Sequence, residues 1–148
     1  MRSPFALDKM IEQYEHELMF MYVHTKLLMR GVLIWAGATL VLRLWGQHLF
    51  RFENELAIIV VFLVSFPAMA WLVRALCAGA KLPQEQWVSG AASIALPTLF
   101  FDSFSTVLFP LVYPNINARF AGIFGAWILW CSAAAFAGVM FGWTRGAD

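Results

Sequence analysis

Four apolar stretches, each long enough to cross the hydrocarbon core of a bilayer, constrain this chain more than any other feature. A helical span needs about 20 mostly apolar residues. Residues 31–50, 56–78, 88–110 and 120–143 meet that requirement. Between them lie only RFENE, AKLPQEQW and LVYPNINAR, so consecutive spans should reverse direction. Composition agrees: 61% of the 148 residues are hydrophobic and 13% charged, against about 45–50% and about 25% in soluble domains. A soluble domain of this size leaves too large a share of its surface exposed to hide so much apolar area. The expected fold is therefore all-α, an integral membrane four-helix bundle in an up-down arrangement over residues 30–148. No internal repeat or low-complexity linker interrupts it.

Residues 1–29 read differently. Leu7, Met10, Ile11, Tyr14, Leu18, Met21 and Tyr22 recur at spacings of three and four, while Asp8, Lys9, Glu12 and Glu15 fall elsewhere. That is the pattern of an amphipathic helix. It either lies on the inner membrane surface or runs into the first span as one long helix. Arg2, Lys9, Lys26 and Arg30 balance Asp8, Glu12, Glu15 and Glu17, so attraction to anionic lipid is not its driving force. Docking on a partner protein is an open alternative. The opening MRSPFALDKMIEQYEHE has no apolar core with a small-residue cleavage site, and no removable signal peptide is expected.

Lys and Arg in the flanks set orientation. Arg2, Lys9, Lys26, Arg30, Arg74, Lys81 and Arg145 fall on one side, Arg51 and Arg119 on the other, and Arg43 within the first span. Both termini are expected in the cytoplasm of a multi-pass cell-membrane protein. Trp45, Trp87, Tyr113 and Trp143 stand near the span ends, where amphipathic rings favour the interface.

Asp102 stands out in PTLFFDSFSTVLFP. A charge at the bilayer centre costs about 2.5–3.5 kcal/mol on insertion scales, so such a residue should face the bundle and find a partner. Arg43 in VLRLWGQHLF is equally out of place. Counted from Gly31 and from Val88, the two lie roughly 18 and 21 Å along their helices, which puts them at one level. Thr98, Asp102, Ser105 and Thr106 form a stripe on the third span, and Thr39, Arg43 and Gln47 one on the first. The expectation is a buried network centred on an Arg43–Asp102 ion pair. Its role is either to fix helix packing, as polar groups between membrane helices can do, or to serve a proton, ion or anion path.

Ala134, Gly138 and Gly142 repeat every fourth residue and suggest a close-packing face, within the monomer or between copies. Pro67 and Pro97 lie inside spans, where each removes a backbone hydrogen bond. In the outer connection, Tyr113, Pro114 and Asn115 read first as turn residues and second as a polar ligand site. Cys77 and Cys131 read as small packed hydrophobes, with neither a disulfide nor a metal set. No HExxH, phosphate loop or nucleophile with a matched base is present. A b-type haem would need axial histidines on facing spans, and only His48 approaches the membrane. No cofactor, metal or enzyme activity is expected, and a net charge of +1 invites no nucleic acid.

RLWGQ in the first span, DSFSTVLFPLVYPN closing the third and FGAWILW in the fourth together resemble a family of small bacterial four-span membrane proteins of unknown function. The resemblance covers about residues 30–143, is strongest from Leu96 to Trp130, and leaves the N-terminal helix outside. It implies topology and no mechanism. It directs attention to Arg43, Gln47, Asp102, Pro110, Pro114, Asn115, Phe124, Gly125 and Trp127. The first functional expectation is a non-catalytic accessory or structural membrane protein, working with a membrane partner or as a homo-oligomer. The alternatives are a small ion, proton or solute transporter and, least supported, a membrane-bound enzyme.

Overall fold

A computed structural model describes residues 4–50 and 55–141. Among these the chain is an all-α bundle: α1 (Pro4–Leu49), α2 (Glu55–Gly79), α3 (Trp87–Val107), the single turn α4 (Phe109–Val112) and α5 (Ala121–Phe141), with short 3₁₀ turns leading into α3 and α5. Helices α1, α2 and α5 are long and apolar enough to cross a membrane. Gly142, Trp143, Arg2, Arg51 and Arg145 lie outside the described residues.

The N-terminal segment and the first apolar stretch form one uninterrupted helix of 46 residues, roughly 69 Å long at about 1.5 Å per residue. No Gly or Pro between Lys9 and Arg30 stops it. Its first third runs past the end of the bundle, leaving Met10, Ile11, Tyr14, Leu18 and Met19 exposed.

Helix α3 is shorter than the apolar run that contains it. Pro110 has no N–H, and its ring would clash with the Thr106 carbonyl in a continuing helix. Accordingly α3 ends at Val107, Leu108 leaves helical geometry (ψ 27°), and α4 restarts with Pro110 in its first turn. Pro67 and Pro97, by contrast, are held inside unbroken helices. At the end of α2, Lys81 takes a left-handed conformation (φ 56°). Lys81 N–H donates to Ala78 O and Leu82 N–H to Cys77 O, the hydrogen-bond pattern of a Schellman stop.

The helices do not pack as four antiparallel neighbours in sequence order. The closest packing is between parallel pairs, α1 with α3 and α2 with α5, joined through an antiparallel α3–α5 contact, while α1 and α2 scarcely touch. Small residues make the parallel pairs close. A side chain at Gly31 would run into the Ile94 carbonyl and the Pro97 ring of α3. One at Gly138 would meet Ala70 Cα of α2 at 2.6 Å. Two cores result. One gathers Leu27, Val73, Cys77, Leu82, Ala91, Ile94, Ala135 and Val139 at the α2–α3 turn. The other gathers Leu42, Phe50, Phe109, Tyr113, Ile116, Phe120 and Phe124 at the opposite end.

This packing predicts a graded response to adding one methyl group. Gly138→Ala and Gly31→Ala should each lower stability by about 1–3 kcal/mol, as overpacking does. Gly37→Ala and Gly122→Ala, which face open space, should change it by less than about 0.5 kcal/mol. Thermal unfolding in detergent measures this, and equal tolerance at all four positions would contradict the packing.

Candidate functional site

Asp102 and Arg43 do not meet. Residue 24 of α1 pairs with 89 of α3 through His24 Nε2 and Ser89 Oγ (3.1 Å). Residue 31 rests against 94, and the Trp35 and Phe101 rings stack at 4.6 Å. The offset is nearly constant at about 65, so Asp102 is level with Gly37 and Arg43 with Leu108. The two are separated by roughly 9 Å along the helices, at about 1.5 Å per residue. Counting both spans from their first apolar residue places them level only because it starts α3 too far out. Among the described residues Arg43 has no carboxylate partner; its Nη1 donates to Val112 O at 3.0 Å and, more weakly, to Leu111 O at 3.5 Å. Those carbonyls lie at the end of α4, where the last turn of a helix has no partners of its own. A cation there also complements the negative end of the helix dipole. The proline break supplies the acceptors that draw Arg43 away from Asp102.

The rest of the two stripes divides by location. Gln47 accepts a hydrogen bond from Asn115 Nδ2, which also donates to Leu42 O at 3.0 Å. Asn115 Oδ1 is buried without a partner. Ile116 packs onto Gly46. The connection after α4 is thus pinned across α1, and Tyr113, its first residue, is fully buried while Pro114 is exposed. Ser105 is buried and donates to Phe101 O. The Thr106 methyl faces Gly125 of α5. Ala134 is fully buried and Gly138 meets α2 of the same chain.

Thr39, Thr98 and Asp102 come together in the wall of a cavity of about 210 Å³ between the two cores. All four long helices line it: Ile34, Trp35, Ala38, Thr39 and Leu42 from α1; Ser65, Ala68, Met69, Leu72 and Val73 from α2; Ile94, Ala95, Thr98 and Asp102 from α3; Phe124, Trp127, Ile128, Cys131, Ser132 and Ala135 from α5; and Tyr113. The wall is mainly apolar; among the described residues Asp102 is its one carboxylate, and no Lys, Arg or His lines it. Trp35 lines the cavity near the Asp102 carboxylate, and its indole Nε1 is buried without a hydrogen-bond partner. The Tyr113 hydroxyl neighbours Thr39 and Ser105 and lies within electrostatic reach of Asp102. Trp127 Nε1 donates to Ser65 Oγ at 3.0 Å, which donates on to Phe62 O, tying α5 to α2 at the cavity. Ala38 and Ala68 line the cavity and are both exposed. The cavity therefore opens sideways, through the gap between α1 and α2.

Of this wall, sequence reasoning singled out Asp102, Thr39, Thr98 and Tyr113, and the family resemblance Phe124 and Trp127, but neither pointed to Trp35, Ser65, Cys131 or Ser132. Their signal is diffuse: isolated small polar or aromatic residues on α1, α2 and α5, brought together only by the packing. Among the described residues no cluster of His, Cys, Asp and Glu could hold a metal, and both thiols are free.

Residues 49–145 match the model of a family of unknown function, DUF5367, and the chain belongs to that family. The match takes in α2 to α5 and leaves all of α1 except Leu49 outside. Trp35, Thr39 and Arg43 are therefore outside the matched region, and Asp102, Tyr113, Trp127 and Ser132 within it. No curated protein and no solved structure matches the chain.

A double-mutant cycle separates the two polar centres. Arg43→Gln combined with Asp102→Asn should be additive to within about 0.3–0.5 kcal/mol. Gln47→Ala combined with Asn115→Ala should show a coupling of about 0.5–3 kcal/mol, as contacting residues do. A sizeable Arg43–Asp102 coupling in thermal unfolding would contradict the register described.

Proposed function

We propose that this member of the DUF5367 family is a multi-pass cell-membrane protein, with all four long helices in the bilayer and both termini cytoplasmic, that takes up a small solute in the cavity beside Asp102. Three helices have the length and apolarity of spans, and α3 runs beside α1 and α5 for most of its length. A four-span arrangement buries the α3 backbone among protein neighbours, where its polar stripe is tolerable. The excess of Lys and Arg around Lys26, Arg30, Arg74 and Lys81 supports the orientation.

One observation carries the solute reading: the Asp102 carboxylate opens onto a cavity and has no cationic partner among the described residues. An ionisable group that only fixed helix packing would be expected to sit against another helix, because an uncompensated charge in hydrocarbon is costly. A lateral opening between α1 and α2 would admit the solute from the lipid phase rather than from water. The same geometry suits a carrier or a receptor, and neither requires catalysis.

The accessory-subunit reading keeps one supporting observation, the exposed apolar side chains of the projecting part of α1, from Met10 to Tyr22. In that reading this segment docks on a membrane partner.

Cys131, in the cavity wall, gives the direct test. In a Cys77→Ala variant in proteoliposomes, lipid-soluble N-phenylmaleimide should modify Cys131 at least tenfold faster than a sulfonated, water-soluble maleimide. Failure of both reagents would mean a sealed interior and overturn the solute reading. Faster reaction of the water-soluble reagent would place the opening on the aqueous side.

A further inference from the structure

We propose that the solute is a small organic monocation, an amine or quaternary ammonium whose apolar body is about one aromatic ring with a short chain. The inference rests on the solute reading above and adds the charge and size of what binds. The charge follows from the wall. Among the described residues Asp102 is its one carboxylate, and no Lys, Arg or His lines the cavity to neutralise it. An organic anion would meet like charge with no compensating donor other than neutral N–H and O–H groups. A neutral solute would leave the carboxylate buried and uncompensated. An ammonium supplies the missing counter-charge, and hydrogen bonds between ionised partners are the strong ones.

The aromatic residues point the same way. Trp35, Tyr113, Phe124 and Trp127 come from three separate segments of the chain and line the one cavity. Ring faces attract cations, Trp most strongly, and quaternary ammonium ligands are commonly held in aromatic cages. Trp35 serves twice, because it lines the cavity with Asp102 and its buried N–H has no hydrogen-bond partner. It is free to hold one carboxylate oxygen while the other receives the cation. Ile34, Leu42, Leu72, Ile94 and Ile128 supply the apolar remainder.

Size follows from volume. An apolar cavity of about 150 Å³ holds benzene, and this one measures about 210 Å³. The added space suits a short aminoalkyl or trimethylammonium group and excludes a polycyclic cation.

Calorimetric titration of the full chain in lipid nanodiscs, against protein-free nanodiscs, tests this with three probes of similar size, phenethylammonium, 2-phenylethanol and phenylacetate, and with tetraphenylphosphonium as an oversized cation. The ammonium should bind saturably and at least tenfold more tightly than the alcohol, with no phenylacetate binding. Asp102→Asn should bring the ammonium down to the affinity of the alcohol, and Asp102→Glu should keep the preference, which guards against loss through misfolding. If the alcohol or phenylacetate binds as tightly as the ammonium, or if Asp102→Asn leaves ammonium binding unchanged, the charge assignment is overturned while the solute site stands. If tetraphenylphosphonium binds as tightly as phenethylammonium, the size assignment is overturned. If none of the three probes binds saturably, the proposal falls together with the solute reading on which it rests.

Discussion

The close approach of α1 to α3 at Gly31 governs the rest of the molecule. With no side chain there, the α1 backbone comes up against the Ile94 carbonyl and the Pro97 ring, and the two parallel helices lock at an offset of about 65 residues. From that register two consequences follow. Asp102 comes level with Trp35 and Thr39, in the gap between the cores. Arg43 comes level with the break after α3, where unsatisfied carbonyls of α4 accept its guanidinium. A shift of about six residues would have brought the two charges together and left the α4 carbonyls without a donor.

The break itself is a consequence of Pro110, so a single residue without an N–H decides where the Arg43 charge goes. Freed of Arg43, Asp102 is left in a layer where the helices do not close fully. The aromatic core from Phe50 to Phe124 fills the bundle on one side of that layer, and the smaller core around Leu27 and Cys77 fills the other. Protein interiors seldom keep voids much larger than a water molecule. A cavity of about 210 Å³ beside a lone carboxylate is thus a departure from ordinary packing, and departures of this kind concentrate at functional sites. The gap between α1 and α2 adds a route to it.

Much of the fold could be read from the sequence, because apolar run length and connection length are local properties. The all-α bundle and the helical character of residues 10–30 followed directly. Which helices would be nearest neighbours did not follow, since Gly31 and Gly138 specify close approach without naming the partner helix. The stop at Val107 was within reach, as Pro110 marks it, but the apolar run hides the break. At the site, Asp102 was legible as an isolated carboxylate in an apolar run, whereas its surroundings were not. Trp35 and Cys131 look like ordinary packing residues until three dimensions bring them to one wall. The Arg43–Asp102 pairing failed for a specific reason: depth counted from span ends carries the uncertainty of those ends, and here that uncertainty exceeded the reach of a side chain.

The register of α1 against α3 is the central claim, and cross-linking tests it most directly. In a variant lacking both native cysteines, Thr39→Cys with Asp102→Cys and Arg43→Cys with Asp102→Cys would be treated in membranes with a short thiol-bridging reagent. The register described predicts efficient joining of 39 to 102 and little joining of 43 to 102. Joining of 43 to 102 as efficiently as 39 to 102 would contradict it and return the two charges to a common level.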